Sequence, residues 1–370
     1  MSDKRPVVVY GASGFSGRLV AEFLREYNVP FIAAGRNAAK IREVMNHVPG
    51  IETAEFDIVE TAGTVEELTK VFDGAKVVCN CVGPFIYHGP TVAEACWRAG
   101  CHYIDIGGEQ HWHREASEKW GVKFRERGLL IAPATAFMST PSDIAARVCI
   151  EAAPIDTLEI LTMFKGIPTF GSTQTIFAGI QTDAYYLERN RYKLWPRATS
   201  YDVMVPGSVQ TQLALTWGGF PHPVWYKDHP QVANVRTMGG ILDRQLMEGV
   251  FATEKHYEAN IRPLPKAEQE KKLSEMASAV QAGTPPRENT HVHRTIDVVE
   301  ARGSTVHVRC LVFGTCAYRQ TGLIQAYVAH SLIHRAPMKV GYASAAEAIG
   351  HREILKALES HGLSKLELIA

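Results

Sequence analysis

The chain has 370 residues, 46% hydrophobic and 21% charged, ordinary values for a globular protein long enough for two domains that each bury a core. Lys plus Arg and Asp plus Glu both number 39. The basic excess that duplex binding needs is missing, so nucleic acid is not an expected partner. Residues 1–6 run straight into a β-branched segment without an apolar leader, and no apolar run reaches membrane-spanning length, so neither secretion nor a membrane partner is expected. The seven cysteines are odd in number and lack framework spacing, as reduced thiols of a cytoplasmic protein do. Cys79 and Cys81 have no further ligands at matching spacing, so they read as core thiols and no metal is expected.

In chain order, residues 7–10 form a β-branched run followed by a glycine-rich turn. Residues 15–27 carry a helical pattern with Leu19, Val20, Phe23 and Leu24 on one side. A strand at 31–34, a helix at 38–48 and a strand at 52–58 follow. Thr64 is placed to cap a helix at 65–72, with Glu67 at the capping-box position. Then come a strand at 77–82, a helix at 90–99 closed by Gly100, a strand at 102–106, a polar helix at 109–127 and a strand at 129–132. Strands regularly separated by helices predict an α/β domain of Rossmann type, a doubly wound parallel sheet over residues 1–140.

Beyond Pro141 the rhythm changes. Ser142 or Asp143 opens a helix to 150, a strand follows at 157–164 and a helix at 172–187. Residues 195–235, rich in Pro, Gly, Trp and Tyr, give no clear pattern. A charged helix at 266–281 ends at Gly283-Thr284-Pro285-Pro286. Alternating strands at 291–300 and 305–313 are joined by Arg302-Gly303-Ser304, a hairpin signal. Helices at 322–334 and 345–361 close the chain, the second with Ser344 and Glu347 at capping-box spacing. Residues 141–337 thus predict a second α+β domain, built on an antiparallel sheet, for substrate and dimerisation; the sheet hints at a homodimer.

The strongest motif is Gly11-Ala12-Ser13-Gly14-Phe15-Ser16-Gly17, between a strand and a helix. Gly11 allows the tight turn, Gly14 lets the backbone approach a pyrophosphate and Gly17 permits close helix–sheet packing. The N–H groups at Ser13 to Ser16 and the positive helix end would face the phosphates. After the second strand stands Arg36, with Asn37 and Lys40, where an NAD site carries an acidic residue. A guanidinium suits a 2′-phosphate, so NADP(H) is the expected cofactor. Cys81, Val82, Gly83 and Pro84 end strand four and Asp105 ends strand five, on the rim where such sheets bind ligands.

These segments resemble the saccharopine dehydrogenase-like superfamily, nearest its branch of trans-acting enoyl reductases and saccharopine dehydrogenase-like oxidoreductases. The matching pieces are GASGFSG at 11–17, AGR at 34–36, NCVGPFIYHG at 80–89, ACWRAGCHYIDIGGE at 95–109 and PSD at 141–143, which cover about the first 145 residues. The resemblance implies a nicotinamide-dependent oxidoreductase with a Rossmann domain and an antiparallel substrate domain. It also implies a last segment that folds back on the first domain, the place residues 338–370 would take. The chain departs from the family before PSD, where Ala134-Thr135-Ala136-Phe137-Met138 replaces a Gly-Phe-Asp run.

Hydride transfer also needs a proton donor. Tyr87 and His88, just past strand four, are the candidate catalytic donors, with loop packing as the plainer reading of each. Asp105 and Glu109 would hold the nicotinamide ribose or cap the following helix; the residues leave both open. Ser142 and Asp143 would cap a helix or face a ligand. The aromatic groups Tyr185, Tyr186, Tyr192 and Trp195, and Trp217, His222, Trp225 and Tyr226, would line an apolar pocket or pack a core. Three readings follow. The first is an NADPH-dependent reductase of a conjugated C=C bond in a small apolar or ring-bearing carbonyl substrate. The second is an amino-acid-type C–N dehydrogenase, with Arg189, Arg191 and Arg197 as carboxylate holders, a solvated helix face being the plainer reading of these three. The third is an NADP-binding scaffold without turnover.

Overall fold

The computed structural model describes residues 5–280 and 285–369, so the expected helix end at Gln281, Gly283 and Thr284 lies outside the described residues. The chain divides into two compact units. The first comprises the described residues up to Gly107, Trp112–Thr140 and Tyr318–Leu363; the second comprises Gly108–His111, Pro141–Ala317 and the residues from Ser364 on.

The chain opens with β1 (Val7–Tyr10), α1 (Phe15–Glu26), β2 (Phe31–Gly35), α2 (Ala38–Met45), β3 (Phe56–Glu60), α3 (Val65–Phe72) and β4 (Val77–Asn80). There follow α4 (Phe85–Ala99), β5 (His102–Asp105), α5 (Gln110–Glu115), α6 (Gly121–Glu126) and β6 (Leu130–Ala132). The strands pair in parallel in the order β6-β5-β4-β1-β2-β3. The order reverses at β1, the topological switch point. All four residues of β1 are buried, as a strand covered on both faces requires. Thr64 caps α3 by accepting from Glu67 N at 3.3 Å, while the Glu67 carboxylate turns to Ala62 N at 2.6 Å. α4 begins at Phe85 rather than at Pro90; the proline sits inside a helix already started by Pro84 at its cap. It ends at Gly100 in the left-handed region, as expected.

The second unit contains α7 (Thr140–Ala152), β7 (Thr157–Lys165), α8 (Phe170–Ile180), β8 (Tyr185–Glu188), β9 (Arg191–Leu194), β10 (Tyr201–Val203), β11 (Gln212–Ala214) and α9 (His222–Trp225). It continues through β12 (Asn234–Ile241), α10 (Arg244–His256), α11 (Lys266–Val280), β13 (Arg294–Arg302) and β14 (His307–Gly314). The helix expected over 172–187 ends at Ile180, and Tyr185–Glu188 is a strand. Its β-prone residues pair with β9 across Arg189 and Asn190, both with φ near +50° to +60°, the geometry of a tight hairpin. The main sheet runs β14-β13-β7-β12-β8-β9 and is mixed, not purely antiparallel, because β12 lies parallel to β7. The long excursion through α8, two hairpins and α9 supplies the crossover that a parallel pair needs.

The chain then returns. α12 (Ala317–His334), β15 (Gly341–Tyr342) and α13 (His351–Ser360) follow, and β15 joins β6 at the edge of the parallel sheet. α12 approaches α1 so closely that a Cβ on Gly322 would lie 2.8 Å from Leu19 Cβ. Ser344 Oγ accepts from Glu347 N at 3.1 Å, the expected cap. The return therefore begins at Tyr318 rather than at 338. The last strand, β16 (Ser364–Ile369), leaves the first unit and pairs antiparallel with β14.

Candidate functional site

The glycine-rich turn is built from backbone constraints. Gly11 has φ +90°, and a Cβ on it would lie 2.9 Å from Val82 Cγ2. A Cβ on Gly17 would lie 2.4 Å from Gly11 O, which only a glycine tolerates. Gly14 is exposed, caps α1 without a side-chain bond and donates its own N–H to Gly11 O at 2.9 Å. The first N–H groups of α1, at Phe15 and Ser16, thus have no side-chain acceptor at the cap, the arrangement that suits a phosphate. Ser13 stands half-buried beside them. The Phe15 ring is occupied by the protein, edge-on to Tyr318 at 5.1 Å and under the Arg18 guanidinium at 4.6 Å.

At the end of β2, Arg36 is exposed and has no hydrogen bond or ion pair among the described residues. The nearby carboxylate of Glu60 is turned to Ala38 N at 2.8 Å. Asn37, expected to touch the cofactor, has its side chain engaged as the cap of α2, accepting from Lys40 N at 2.8 Å.

At the end of β4, Cys81 N donates to Tyr10 O at 2.8 Å and Val82 N to Asn80 Oδ1 at 3.0 Å. Burial first, and the Asp105 charge second, push the Cys81 thiol up to about 12, so it is no nucleophile near neutral pH. Gly83–Pro84 is a cis peptide leading into α4. Tyr87 and His88 sit in the first turn of α4, both exposed. Burial, then the charge of Arg36, lower the His88 pKa below the ordinary histidine value. Arg36 also acts on Tyr10, whose hydroxyl burial raises.

Asp105 is no ribose ligand in this geometry. It is fully buried and saturated by internal donors: Tyr103 OH at 2.5 Å and Trp112 Nε1 at 2.8 Å on Oδ2, Gly107 N at 2.8 Å and Ala134 N at 3.0 Å on Oδ1. Burial pushes it up to about 6, against the pull of those bonds. Asn80 Nδ2 donates to Tyr103 OH at 3.1 Å, and Gln325 Nε2 bonds the carbonyls of Asp105 and Thr135 at 2.9 and 2.8 Å. One polar ladder thus fixes the ends of β4, β5 and the loop after β6. Sequence reasoning missed Tyr103, Trp112 and Gln325; the Tyr-x-Asp spacing, which puts both side chains on one strand face, was the available signal.

In the second unit, Ser142 lies inside the first turn of α7, which starts at Thr140, and does not cap it. It belongs to a fully buried row: His222 Nε2 contacts Ser142 Oγ at 3.1 Å, Thr162 Oγ1 contacts Ser142 Oγ at 3.4 Å, and Thr162 Oγ1 donates to Asp297 Oδ1 at 2.8 Å. Asp143 accepts from Tyr226 OH at 2.6 Å and pairs with Arg147 at 3.2 Å. His222 and Tyr226 are therefore core residues, with Trp225 edge-on to His222 at 5.2 Å. Tyr186, Trp195 and Tyr201 meet in series nearer the surface, the first pair tilted and the second edge-on. Arg197 is bound to Glu258 at 2.5 Å, Asp183 at 2.9 Å and the carbonyls of Ile180 and Thr182. Among the described residues no group of three or more His, Cys, Asp or Glu could hold a metal, and no helix is long and apolar enough to cross a membrane.

Residues 7–130 match the model of the saccharopine dehydrogenase NADP binding domain, and residues 140–370 match that of a family of unknown function (DUF5938). Similar proteins include a lipid droplet localized protein of Caenorhabditis elegans, 32% identical over 147 residues, 37% of this chain and 34% of that protein. A saccharopine dehydrogenase-like oxidoreductase of Mus musculus is 30% identical over 159 residues, 39% of this chain and 37% of that one. A trans-acting enoyl reductase of Mycobacterium ulcerans is 31% identical over 140 residues, 37% and 34% of the two chains. The likeness thus spans little more than a third of each relative's length. Apo saccharopine dehydrogenase (L-Glu forming) from Saccharomyces cerevisiae shares the fold, with a TM-score of 0.60 at 12% identity over 99% of this chain and 100% of that one. The uncapped glycine turn and unpaired Arg36 fit the NADP(H) that the matched domain binds. The chain, matched over more than half its length, belongs to the family of unknown function DUF5938, and its residues 7–130 form a saccharopine dehydrogenase-type NADP(H)-binding domain.

Proposed function

We propose that the chain is an NADPH-dependent oxidoreductase that reduces the activated, conjugated C=C bond of a small apolar or ring-bearing carbonyl substrate. The observation that carries the NADPH half is Arg36, an exposed guanidinium at the end of β2 without an acidic partner among the described residues. NADPH, when bound, supplies the hydride. The protein holds the phosphates at the N-terminus of α1 and orders the rim through the Asp105 ladder. The hydride goes to the β-carbon, and the enolate that forms takes a proton at the α-carbon. Tyr87, exposed in the first turn of α4, is the donor this reading assigns.

The choice of C=C over C–N chemistry rests on the second unit's arginines. An amino-acid substrate needs free cations for its carboxylates. Of the expected holders, Arg197 is spent on Glu258, Asp183 and two carbonyls, while Arg189 and Arg191 sit exposed at the β8–β9 hairpin. Arg147, Arg236, Arg244, Arg262 and Arg302 each have a carboxylate partner as well. The trans-acting enoyl reductase among the relatives agrees with this direction. The reading also keeps a homodimer and a cytoplasmic location; all seven cysteines are free, as a reducing compartment would have them.

The test is a panel of α,β-unsaturated ketones and esters with NADPH, run beside amino acids with NADP+, following nicotinamide absorbance. Consumption of NADPH by conjugated alkenes supports the proposal. Reduction of NADP+ by an amino acid, with every alkene inert, replaces it by the dehydrogenase reading. Light scattering during chromatography checks the dimer: a mass of one chain removes it.

A further inference from the structure

Arg36 directly follows β2, and His88 lies in the first turn of α4, the helix that follows β4; the two strands flank β1. β1 is paired at Tyr10 with Ala34 of β2 on one side and with Asn80 of β4 on the other. The position of His88 is fixed by the start of α4, where Tyr87 N and His88 N both bond Pro84 O, at 3.2 and 3.1 Å. Two strand spacings, about 10 Å, separate these chain ends. An arginine and an imidazole can close that gap across the end of β1, and both side chains are exposed.

The charges around this spot are one-sided. Arg36 is the charge that acts on His88, lowering its pKa after burial has done so. The neighbouring acids are turned elsewhere: Glu60 at the end of β3 bonds Ala38 N, Glu67 on α3 bonds Ala62 N, and Glu66 on α3 and Glu94 on α4 both pair with Arg98. The other nearby cations are Lys40 on α2 and Lys70 on α3. Tyr10, on β1, contributes a neutral hydroxyl. Two potential cations on the loops that follow β2 and β4, with no carboxylate bonded to either among the described residues, can form a site for an anion.

We propose that His88 is the second, titrating member of the site for the 2′-phosphate of NADP(H), opposite Arg36 across the end of β1. This rests on reading Arg36 as the phosphate partner, and it takes His88 out of the donor role. In the free protein burial and then Arg36 favour the neutral form of His88. A 2′-phosphate carries up to two negative charges, so its arrival offsets Arg36 and favours the imidazolium. Binding then takes up a proton, and affinity for the 2′-phosphate rises as pH falls from about 8 towards about 6, where the phosphate itself begins to protonate.

Adenosine 2′,5′-bisphosphate, with adenosine 5′-phosphate as control, isolates this end of the cofactor. The experiment measures both affinities calorimetrically across that pH range for wild type, His88→Asn and His88→Lys. The expected ratio for wild type rises roughly 3–10-fold as pH falls. In His88→Asn the ratio is lower and loses most of that slope; in His88→Lys it is high and equally flat. A slope in His88→Asn equal to that of wild type overturns the proposal. A wild-type protein with no preference for the bisphosphate at any pH overturns the Arg36 reading itself, which separates the two failures.

Discussion

In the proposed reading Arg36 sets cofactor choice, because among the described residues it has no hydrogen bond or ion pair. Arg36→Ala should weaken NADPH binding by roughly tenfold or more, about 1.5–3 kcal/mol, and leave NADH binding nearly unchanged, as fluorescence titration will show. Gly17 and Asp105 act on the frame instead. Asp105→Ala would strand four buried donors and should cost at least about 3 kcal/mol, seen as a lowered melting temperature with or without cofactor. These two kinds of residue were not equally legible. The glycine turn and Arg36 announce themselves because their meaning is local, a strand end followed by a helix start. Asp105 shares that rim in sequence, yet its role depends on Trp112, Ala134 and Tyr103, and spacing alone could not separate a carboxylate facing outward from one facing inward. Asn37 is ambiguous for a related reason: cap and ligand contact call for the same residue at the same place, and its Oδ1 is engaged as the cap.

The elements were legible where period and punctuation agreed, as in the alternation up to β6, the Thr64 and Ser344 caps and the Gly303 turn. They were not legible where tertiary pairing decides. Tyr185–Glu188 continues a helical pattern but finds β9 and β12 as partners, and the register that sets β12 parallel to β7 is written nowhere locally. The row linking α7, β7, β13 and α9 belongs to the same class. Its Asp297 has one oxygen without a partner and is pushed up to about 8 by burial, against the opposing bond from Thr162. Unfolded, it would titrate near 3.8. The folded state therefore holds the proton more tightly, and its contribution is complete below about pH 4 and lost as pH rises through about 8. Thermal melts should show wild type losing at least about 2 kcal/mol across that window relative to Asp297→Asn, which has no such proton to lose. Parallel pH dependence in the two proteins would remove this account of the row.

At the scale of the whole molecule the expected boundaries lie at 140 and 338, and the compact units divide after Thr140 and before Tyr318. The return to the first unit starts with α12, through Phe15 on Tyr318, Leu19 on Gly322 and Thr321 Oγ1 accepting from Phe137 N at 3.1 Å. A break in hydropathy cannot reveal this, because α12 would serve equally well as a core helix of either unit. A chain cut after Ala317 should lose NADPH binding and much of its first thermal transition, although the entire glycine turn is still present. Retained tight binding in that fragment would show that α12 is an accessory.

The late arrival of α12 has a consequence for biosynthesis. A ribosome delivers β1 to β6 first, but α1 then waits through the whole second unit for the helix that covers Leu19. The second unit, by contrast, lacks only its edge strand β16 when α12 emerges. The half translated first is thus the half completed late, and a nascent chain carries an open apolar seam for most of its time on the ribosome. Chaperones that bind such seams should be found on this chain while it is being made and released once residues 318–363 are free of the exit tunnel.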